Sequence, residues 1–572
     1  MKILLLGSAF SGLCQRVLRE LVLMGHQVDQ HYGMSEPLLR QQLASFQPEL
    51  ILCPFLTHRI PDDIWQTYRC LVVHPGIEGD RGPSALDWAI QQQAEEWGVT
   101  LLQADAEMDA GAIWGSTNFP LRKASKTSIY KREVSSAAVN MLKKAVNDFN
   151  DPNFKPRPLD YSNSSVRGSL MPTMKQPDRA INWRLDSSTH IIATINAADT
   201  TPGVLDEIEG IPAHIFAAQF EPNLKGDPGE IIALAHGAIC KATHDGAVWI
   251  RQAKTKAISG LAAFKLPAEY LAKHIYSTQK IAALKQVGLK GSFNDVAVKY
   301  QDEVAYVYFD FYNGAANTEQ CQRLLECLKT VKAGPSKIIV LMGGENFFSN
   351  GIHLNTIEAA ASPSLESWLN INAIDDVVRE IINSPQHVFL AALRNNAGAG
   401  GAIVALACDK IIGREGVVLN PHYQNMGLFG SEYWTYLLPK RVGADMAAII
   451  TRQCQPMLMA EALDLNLVDE LFQEDWQAYH DQLSRFAEAL CEPKTLASIL
   501  RYKNDARQKD EAIKPLEDYR AEELSKMRAI FDNPQSYYHE ARRNFVYKQP
   551  PQKPCWVDAS SLVRCADALL ER

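Results

Sequence analysis

The amino-acid sequence predicts an α/β protein: a Rossmann-like front domain, a small β-barrel, a second α/β domain and a helical tail. Three observations carry this. The chain has 572 residues, and at about 100–200 residues per domain two to four domains are expected. Strand-like apolar runs alternate with helical spacing up to residue 150 and again from 292, the pattern of largely parallel sheets. Between them, residues 181–265 offer short strand-like runs broken by Gly, Pro and Asp turns.

Each element has its own signal. Lys2–Leu6 reads as a buried strand. Leu13–Met24 has helical apolar spacing that stops at Gly25. Glu49–Pro54, Cys70–Val73 and Val99–Gln103 read as strands, and Ser84–Trp97 and Tyr130–Phe149 as helices. Ligands in such sheets sit at the carboxyl ends of the strands. Residues 151–180, with DPNFKPRPLDYSNSS, read as a linker held on the surface by Phe154, Leu159 and Tyr161. Ile215–Gln219, Gly229–Ala235, Ala238–His244 and Ala247–Gln252 are the strands of the barrel, over 181–265, with Asp245-Gly246 as a hairpin turn. Residues 266–291 read as a helical connector. In the domain spanning 292–490, Ala297–Phe311, Lys337–Met342 and Val388–Leu393 read as strands and Leu365–Ile382 as a helix. Residues 491–572 are charged and read as solvated helices packed by one face.

Composition excludes several classes. Hydrophobic residues are 46% and charged residues 22%, an ordinary globular balance. A net charge of −8 with no Lys/Arg run argues against nucleic acid, which requires a basic face. The eleven cysteines are scattered without a C-x-x-C pair, so no metal site is expected; they read as buried thiols of a reducing, cytoplasmic compartment. The apolar run Ile3–Leu6 is too short for a signal peptide, and no run approaches the length of a membrane helix.

Two segments carry chemistry. In V-V-H-P-G-I-E-G-D-R-G-P-S (72–84), His74 ends a buried strand beside a glycine turn, and M-D-A-G-A-I-W (108–114) places Asp109 at another strand end. A carboxylate near an imidazole orients it and stabilises its charged form. Taken together, the two segments resemble the formyltransferases that use 10-formyltetrahydrofolate, over roughly residues 1–265, with I-N-W (181–183), T-P-G-V (201–204) and D-P-G-E-I (227–231) resembling their C-terminal, OB-like domain. The resemblance implies His74 as general base, Asp109 as its partner and a folate-binding loop that includes Gly82, Pro83 and Ser84. One departure stands out: the family's oxyanion-holding Asn falls on Val72.

The second segment pair is F-F-S-N-G-I-H-L-N (347–355) and A-A-L-R-N-N-A-G-A-G-G-A-I-V-A-L-A-C-D (391–409). Two glycine turns after strands can converge their free amides on one carbonyl oxygen. The pair resembles the crotonase (enoyl-CoA hydratase/isomerase) superfamily, which implies a ββα spiral over 292–490 and acyl-CoA binding. It implies the amides of Ile352 and Gly400 as the oxyanion hole, with Gly351 and Gly398 shaping the CoA cradle. A hydratase's two carboxylates fall on Ile403 and near His422, so hydration chemistry is not expected. His422, Tyr423 and Glu432 are the candidates that replace it, with Trp434 and Tyr436 read as packing.

The fusion, with R-P-L-D-Y-S (157–162), D-R-A-I-N-W (178–183) and G-S-E-Y-W-T-Y-L-L-P (430–439), is similar to the HoxX-type family of [NiFe]-hydrogenase maturation factors. That resemblance implies two reactions: formyl transfer from 10-formyltetrahydrofolate to coenzyme A, then splitting of formyl-CoA into carbon monoxide and coenzyme A. Glu432 would be the base and Tyr423 the positioning or protonating group, and a passage between the sites would exclude water. Hydrogenase maturation proteins are the candidate protein partners. A hydrolase releasing formate and a non-catalytic maturation scaffold are the alternatives.

Overall fold

The apolar run Ile3–Leu6 forms a buried strand of the first sheet of a computed structural model that describes residues 1–33, 35–256, 262–288 and 291–549. The chain divides into two units. The front unit holds residues 1–256 and 267–286, and the back unit the remaining described residues from 262 to 549.

The front unit begins with a six-stranded sheet: β1 (Lys2–Gly7), β2 (Gln27–Tyr32), β3 (Leu50–Cys53), β4 (Cys70–His74), β5 (Glu96–Gln103) and β6 (Ile113–Pro120). The order is β2-β1-β3-β4-β5-β6. The first four strands are parallel, whereas β5 and β6 run antiparallel. The helix Gly12–Leu23 follows β1, capped by Ser11, whose side chain accepts the Cys14 amide, and the chain leaves it through Gly25 at φ 82°. The helix expected over Ser84–Trp97 stops at Gln91, and Glu96 already begins β5. The reason is pairing: Glu96 and Trp97 lie opposite Pro120 and Phe119, and this ladder outweighs the helical spacing. The linker over 151–180 is anchored as expected, with the Phe154 ring on Trp114 and the Tyr161 hydroxyl donating to the Gly79 carbonyl.

The second sheet of the front unit has β7 (Val204–Ile208), β8 (Ile211–Glu221), β9 (Ile231–Ala235), β10 (Ala238–Ala242) and β11 (Ala247–Thr255). The expected Asp245-Gly246 turn joins the last two, its Asp245 carboxylate accepting the Ser188 amide. The stretch expected to be a connector, 266–291, instead contributes β12 (Leu266–Pro267) beside β11 and β13 (Lys285–Gln286) beside β9. The order is β13-β9-β10-β11-β8-β7, and among the described residues β7 and β13 do not pair to close it.

The back unit's main sheet has β14 (Val296–Gln301), β15 (Val304–Phe309), β16 (Ile338–Gly343), β17 (Val388–Leu393), then, past the short strand β18 (Ala397–Gly398), β19 (Lys410–Arg414). The strands β20 (Val418–Asn420) and β21 (Met457–Leu458) join β18 in a small second sheet, and β22 (Glu470–Phe472) ends the main one. All neighbours in the main sheet are parallel except β14 with β15. The single strand expected over Ala297–Phe311 is this hairpin, turned at Asp302 with φ 49°. The polar triplet Gln301-Asp302-Glu303 interrupts the apolar run and exposes the turn.

Up to residue 549 the tail is helical, as expected, and packs by one face in part; the rest of that expectation, 550–572, lies outside the described residues. Helix Pro493–Ile513 has no buried residue. Helix Leu516–Asp532 buries Leu524, Met527 and Phe531, and with them Arg520 and Glu523.

Candidate active sites

In the front unit, β4 delivers His74 at its carboxyl end. The ring is buried, and Nε2 lies 2.8 Å from Asp80 Oδ1. Asp109 Oδ1 stands 3.6 Å from Nδ1, and its other oxygen accepts the Gly82 amide at 3.1 Å. Asp109 has a left-handed backbone, φ 55°, so the turn is held by its own carboxylate. A side chain at Gly76 would collide with the His74 ring and Asp80, which explains the glycine after Pro75. Ser84 is buried and accepts the Met174 amide, and the Gly82 position is closed by the Met171 carbonyl. Val72 is partly buried against the apolar cluster of Leu4, Ile51 and Cys53. Sequence reasoning named His74 and Asp109 but missed Asp80, the nearer carboxylate. Its signal was present, since Asp80 lies six residues on in the same glycine turn.

In the back unit the two glycine turns meet. The Ser349–Ala397 bridge brings them side by side, and the Gly398 amide donates to the Ser349 carbonyl. A methyl group on Gly351 would lie 3.3 Å from the Gly400 amide nitrogen, a tight contact, and the residue's φ of 75° favours glycine between the turns. The Ile352 loop is pinned by Asn370, which accepts the His353 amide and donates to the Ala316 carbonyl. Gly400 opens the short helix Gly400–Leu406. A methyl group there would run into the Glu432 carboxylate, and one on Gly398 would come within 2.6 Å of Asn350 Oδ1 and 3.2 Å of His422 Cε1. Gly351, Gly398, Gly400, His422 and Glu432 therefore converge.

His422 donates from Nδ1 to the Asn420 carbonyl at 2.8 Å, which leaves Nε2 as the acceptor of a neutral ring. Burial holds its pKa below the ordinary value. Tyr423 is buried, and its hydroxyl has no hydrogen-bond partner among the described residues. Ile403 lies in the apolar core, so no carboxylate faces the site from that helix position.

Glu432 is buried with φ 60°, and Tyr433 follows with φ 59°. The Glu432 amide donates to Asp375 Oδ1 at 2.9 Å. The Ser431 hydroxyl donates to the same carboxylate. The Tyr433 and Thr435 amides donate to Glu523 at 2.9 and 2.8 Å. Burial, with Asp375 as the nearest negative charge, pushes the Glu432 pKa up to about 8. Burial likewise pushes Glu523 to about 8 and Asp375 to about 6. Sequence reasoning missed Asp375 and Glu523. They sit 57 and 91 residues from Glu432 along the chain, on helices whose patterns show only packing. Among the described residues there is no cluster of His, Cys, Asp and Glu able to hold a metal, and no helix is long and apolar enough to cross a membrane.

Fold and sites together define a formyltransferase-type unit joined in one chain to an enoyl-CoA hydratase/isomerase-type unit. The formyl transferase family matches residues 21–146 and its C-terminal domain residues 173–265. The enoyl-CoA hydratase/isomerase family matches residues 301–553. A methionyl-tRNA formyltransferase of Roseiflexus castenholzii is 29% identical over 177 residues, 30% of this chain and 55% of that protein. The hydrogenase maturation factor HoxX of Bradyrhizobium diazoefficiens is 41% identical over 99% of this chain and 98% of its own. The crystal structure of HypX from Aquifex aeolicus in complex with tetrahydrofolic acid superposes with a TM-score of 0.91 at 38% identity, covering 97% of this chain and 98% of that one. The chain belongs to the HoxX/HypX family of hydrogenase maturation factors.

Proposed function

We propose that the chain makes carbon monoxide for hydrogenase maturation in two steps. In the front unit a formyl group passes from 10-formyltetrahydrofolate to the thiol of coenzyme A, giving tetrahydrofolate and formyl-CoA. In the back unit formyl-CoA splits into carbon monoxide and coenzyme A. Formyl and monoxide carbon share one oxidation level, so the second step uses no oxidant or reductant.

The observation that carries this reading is the buried Glu432 carboxylate lying over Gly400, in a site where a hydratase's two water-activating carboxylates would fall on Ile403 and near His422. The Ile352 and Gly400 amides draw electron density from the formyl oxygen and make its C–H more acidic. Glu432 takes that proton, the C–S bond breaks, and the thiolate leaves as carbon monoxide forms. The proton then returns to the sulfur to give coenzyme A. A base whose pKa lies near the working pH is both ionised and strong enough for the transfer, and burial gives Glu432 that property. The unpartnered Tyr423 hydroxyl orients the thioester, and the neutral Nε2 of His422 accepts a hydrogen bond beside it. Gly351 and Gly398 keep the cradle open for the acyl group.

In the front unit the 2.8 Å contact with Asp80 fixes the His74 ring, and Nδ1, toward Asp109, exchanges the proton of the attacking thiol. The loop Gly82–Ser84 lies beside this pair, and we assign it to the folate. A relative crystallised with tetrahydrofolic acid supports that ligand. The matched formyl transferase C-terminal domain supports reading the second sheet as an OB-like accessory barrel. That the Bradyrhizobium relative is a hydrogenase maturation factor supports docking on hydrogenase maturation proteins, and the free buried thiols support a reducing, cytoplasmic setting.

The test is product analysis. Protein incubated with 10-formyltetrahydrofolate and coenzyme A should release carbon monoxide to a haem reporter. His74→Ala should lose it from this mixture, and Glu432→Gln from supplied formyl-CoA as well. Formate in place of carbon monoxide would make the protein a hydrolase. Binding without either product would make it a scaffold.

A further inference from the structure

The backbone at Glu432 and Tyr433 adopts two successive left-handed conformations, φ 60° and 59°, a geometry unfavourable for side chains of this size. Such a pair persists only where its surroundings over-determine it. Two carboxylates do so. Asp375, from helix Pro363–Ile382, accepts the Glu432 amide and the Ser431 hydroxyl. Glu523, from helix Leu516–Asp532 in the charged tail, accepts the Tyr433 and Thr435 amides and the Thr435 hydroxyl. Both carboxylates are wholly buried. The cation that bears on Asp375, Arg520, is tied to Asp376 at 2.8 Å.

We propose that Asp375 and Glu523 are positioning residues for the back-unit reaction: by accepting the amides of the left-handed pair Glu432–Tyr433 they clamp that turn and aim the Glu432 carboxylate over Gly400. The proposal rests on Glu432 being the base of that unit. It gives the tail a catalytic duty, because one half of the clamp comes from a helix outside the sheet that carries the oxyanion hole.

The groups that bear on Glu432 are Asp375 from the first helix, Glu523 and Arg520 from the tail helix, Cys321 from helix Thr318–Lys332, and Tyr423 and His422 from the turn beside Gly398. Removing the charge of Asp375 or Glu523 favours ionised Glu432, so its titration moves to lower pH.

The experiment measures carbon monoxide release from supplied formyl-CoA as a function of pH, for the full-length protein and for Asp375→Asn, Glu523→Gln, Thr435→Val and Glu432→Gln. Rate should rise with pH through the Glu432 titration. Asp375→Asn and Glu523→Gln should each lower kcat about tenfold or more, with KM within about threefold, and should move that rise to lower pH. Thr435→Val deletes one donor to Glu523 while keeping its amide and charge. It should lower kcat about twofold to threefold without moving the rise, and it covers the case in which a carboxylate variant fails to fold. Formyl-CoA formation by the front unit is the control for folding. If Glu432→Gln abolishes release while the other three keep wild-type kcat and pH profile, the clamp is refuted and the base assignment stands. If Glu432→Gln itself keeps full activity, the base assignment falls and the clamp falls with it.

Discussion

The two sites handle carboxylates in opposite ways. In the front unit an imidazole lies between Asp80 and Asp109, so each carboxylate has a ring nitrogen within reach. In the back unit three carboxyl groups, Asp375, Glu432 and Glu523, are buried together, and Arg520, which bears on Asp375, is already paired with a fourth. Like charges in a low-dielectric site hold protons. The lesson is that the same residue type meets opposite surroundings in the two units, which under the proposed function makes it an orienting group in one and a base in the other.

The comparison can be broken or sharpened by four measurements. The largest effect is expected from Gly400→Ala, whose methyl group must displace the Glu432 carboxylate. Release of carbon monoxide from formyl-CoA should fall about 10²–10³-fold, the scale of losing an oxyanion donor, while formyl-CoA formation is unchanged. Loss of both activities together would show that the units are not separable.

Stability should depend on pH in the direction set by the back unit. Glu432 and Glu523 have folded-state pKa values near 8, raised from 4.5, so folding takes up protons. The stabilisation is present below the unfolded value and is lost as pH rises through about 8. Denaturant unfolding of the back unit should weaken by several kcal/mol from pH 5 to pH 8.5, at about 1.4 kcal/mol for each pH unit by which each group's pKa is raised. Glu523→Gln should flatten that slope, and an unchanged slope would show that the carboxyl cluster is not the cause.

Asp80→Asn is the front-unit counterpart. It keeps the shape and removes the charge, and formyl transfer should fall about 10²-fold, with release from supplied formyl-CoA untouched. Asp109→Asn should cost less, because its contact with the ring is the longer one. A larger loss from Asp109 would reverse the two assignments. The smallest effect belongs to Tyr423→Phe, which removes one hydroxyl and should lower kcat of the back unit by about tenfold or less.

Much of this was legible along the chain. The strand-and-glycine signals around residues 74, 351 and 400 are local, since each packs its chemistry into a dozen residues of a turn. The departures at Val72 and Ile403 were equally readable, because a missing carboxamide or carboxylate is visible in one letter. Elements that failed were those decided by pairing. Trp97 was expected in a helix but joins β5 because Phe119 lies opposite it. Residues 266–291 were expected to connect but end in strands that dock on β9 and β11.

The sequence by itself determined the two-part α/β architecture and the positions of the two glycine turns, and it singled out His74, Asp109 and Glu432 as candidates. It did so because hydrophobic period and turn composition are properties of neighbouring residues. Only the tertiary structure decided that Asp80 joins Asp109 beside the ring, and that Asp375 and Glu523 stand behind the Glu432 turn. Hydrogen bonds and desolvation depend on which distant side chains share a buried volume, and 57 or 91 intervening residues leave no periodic trace of that encounter.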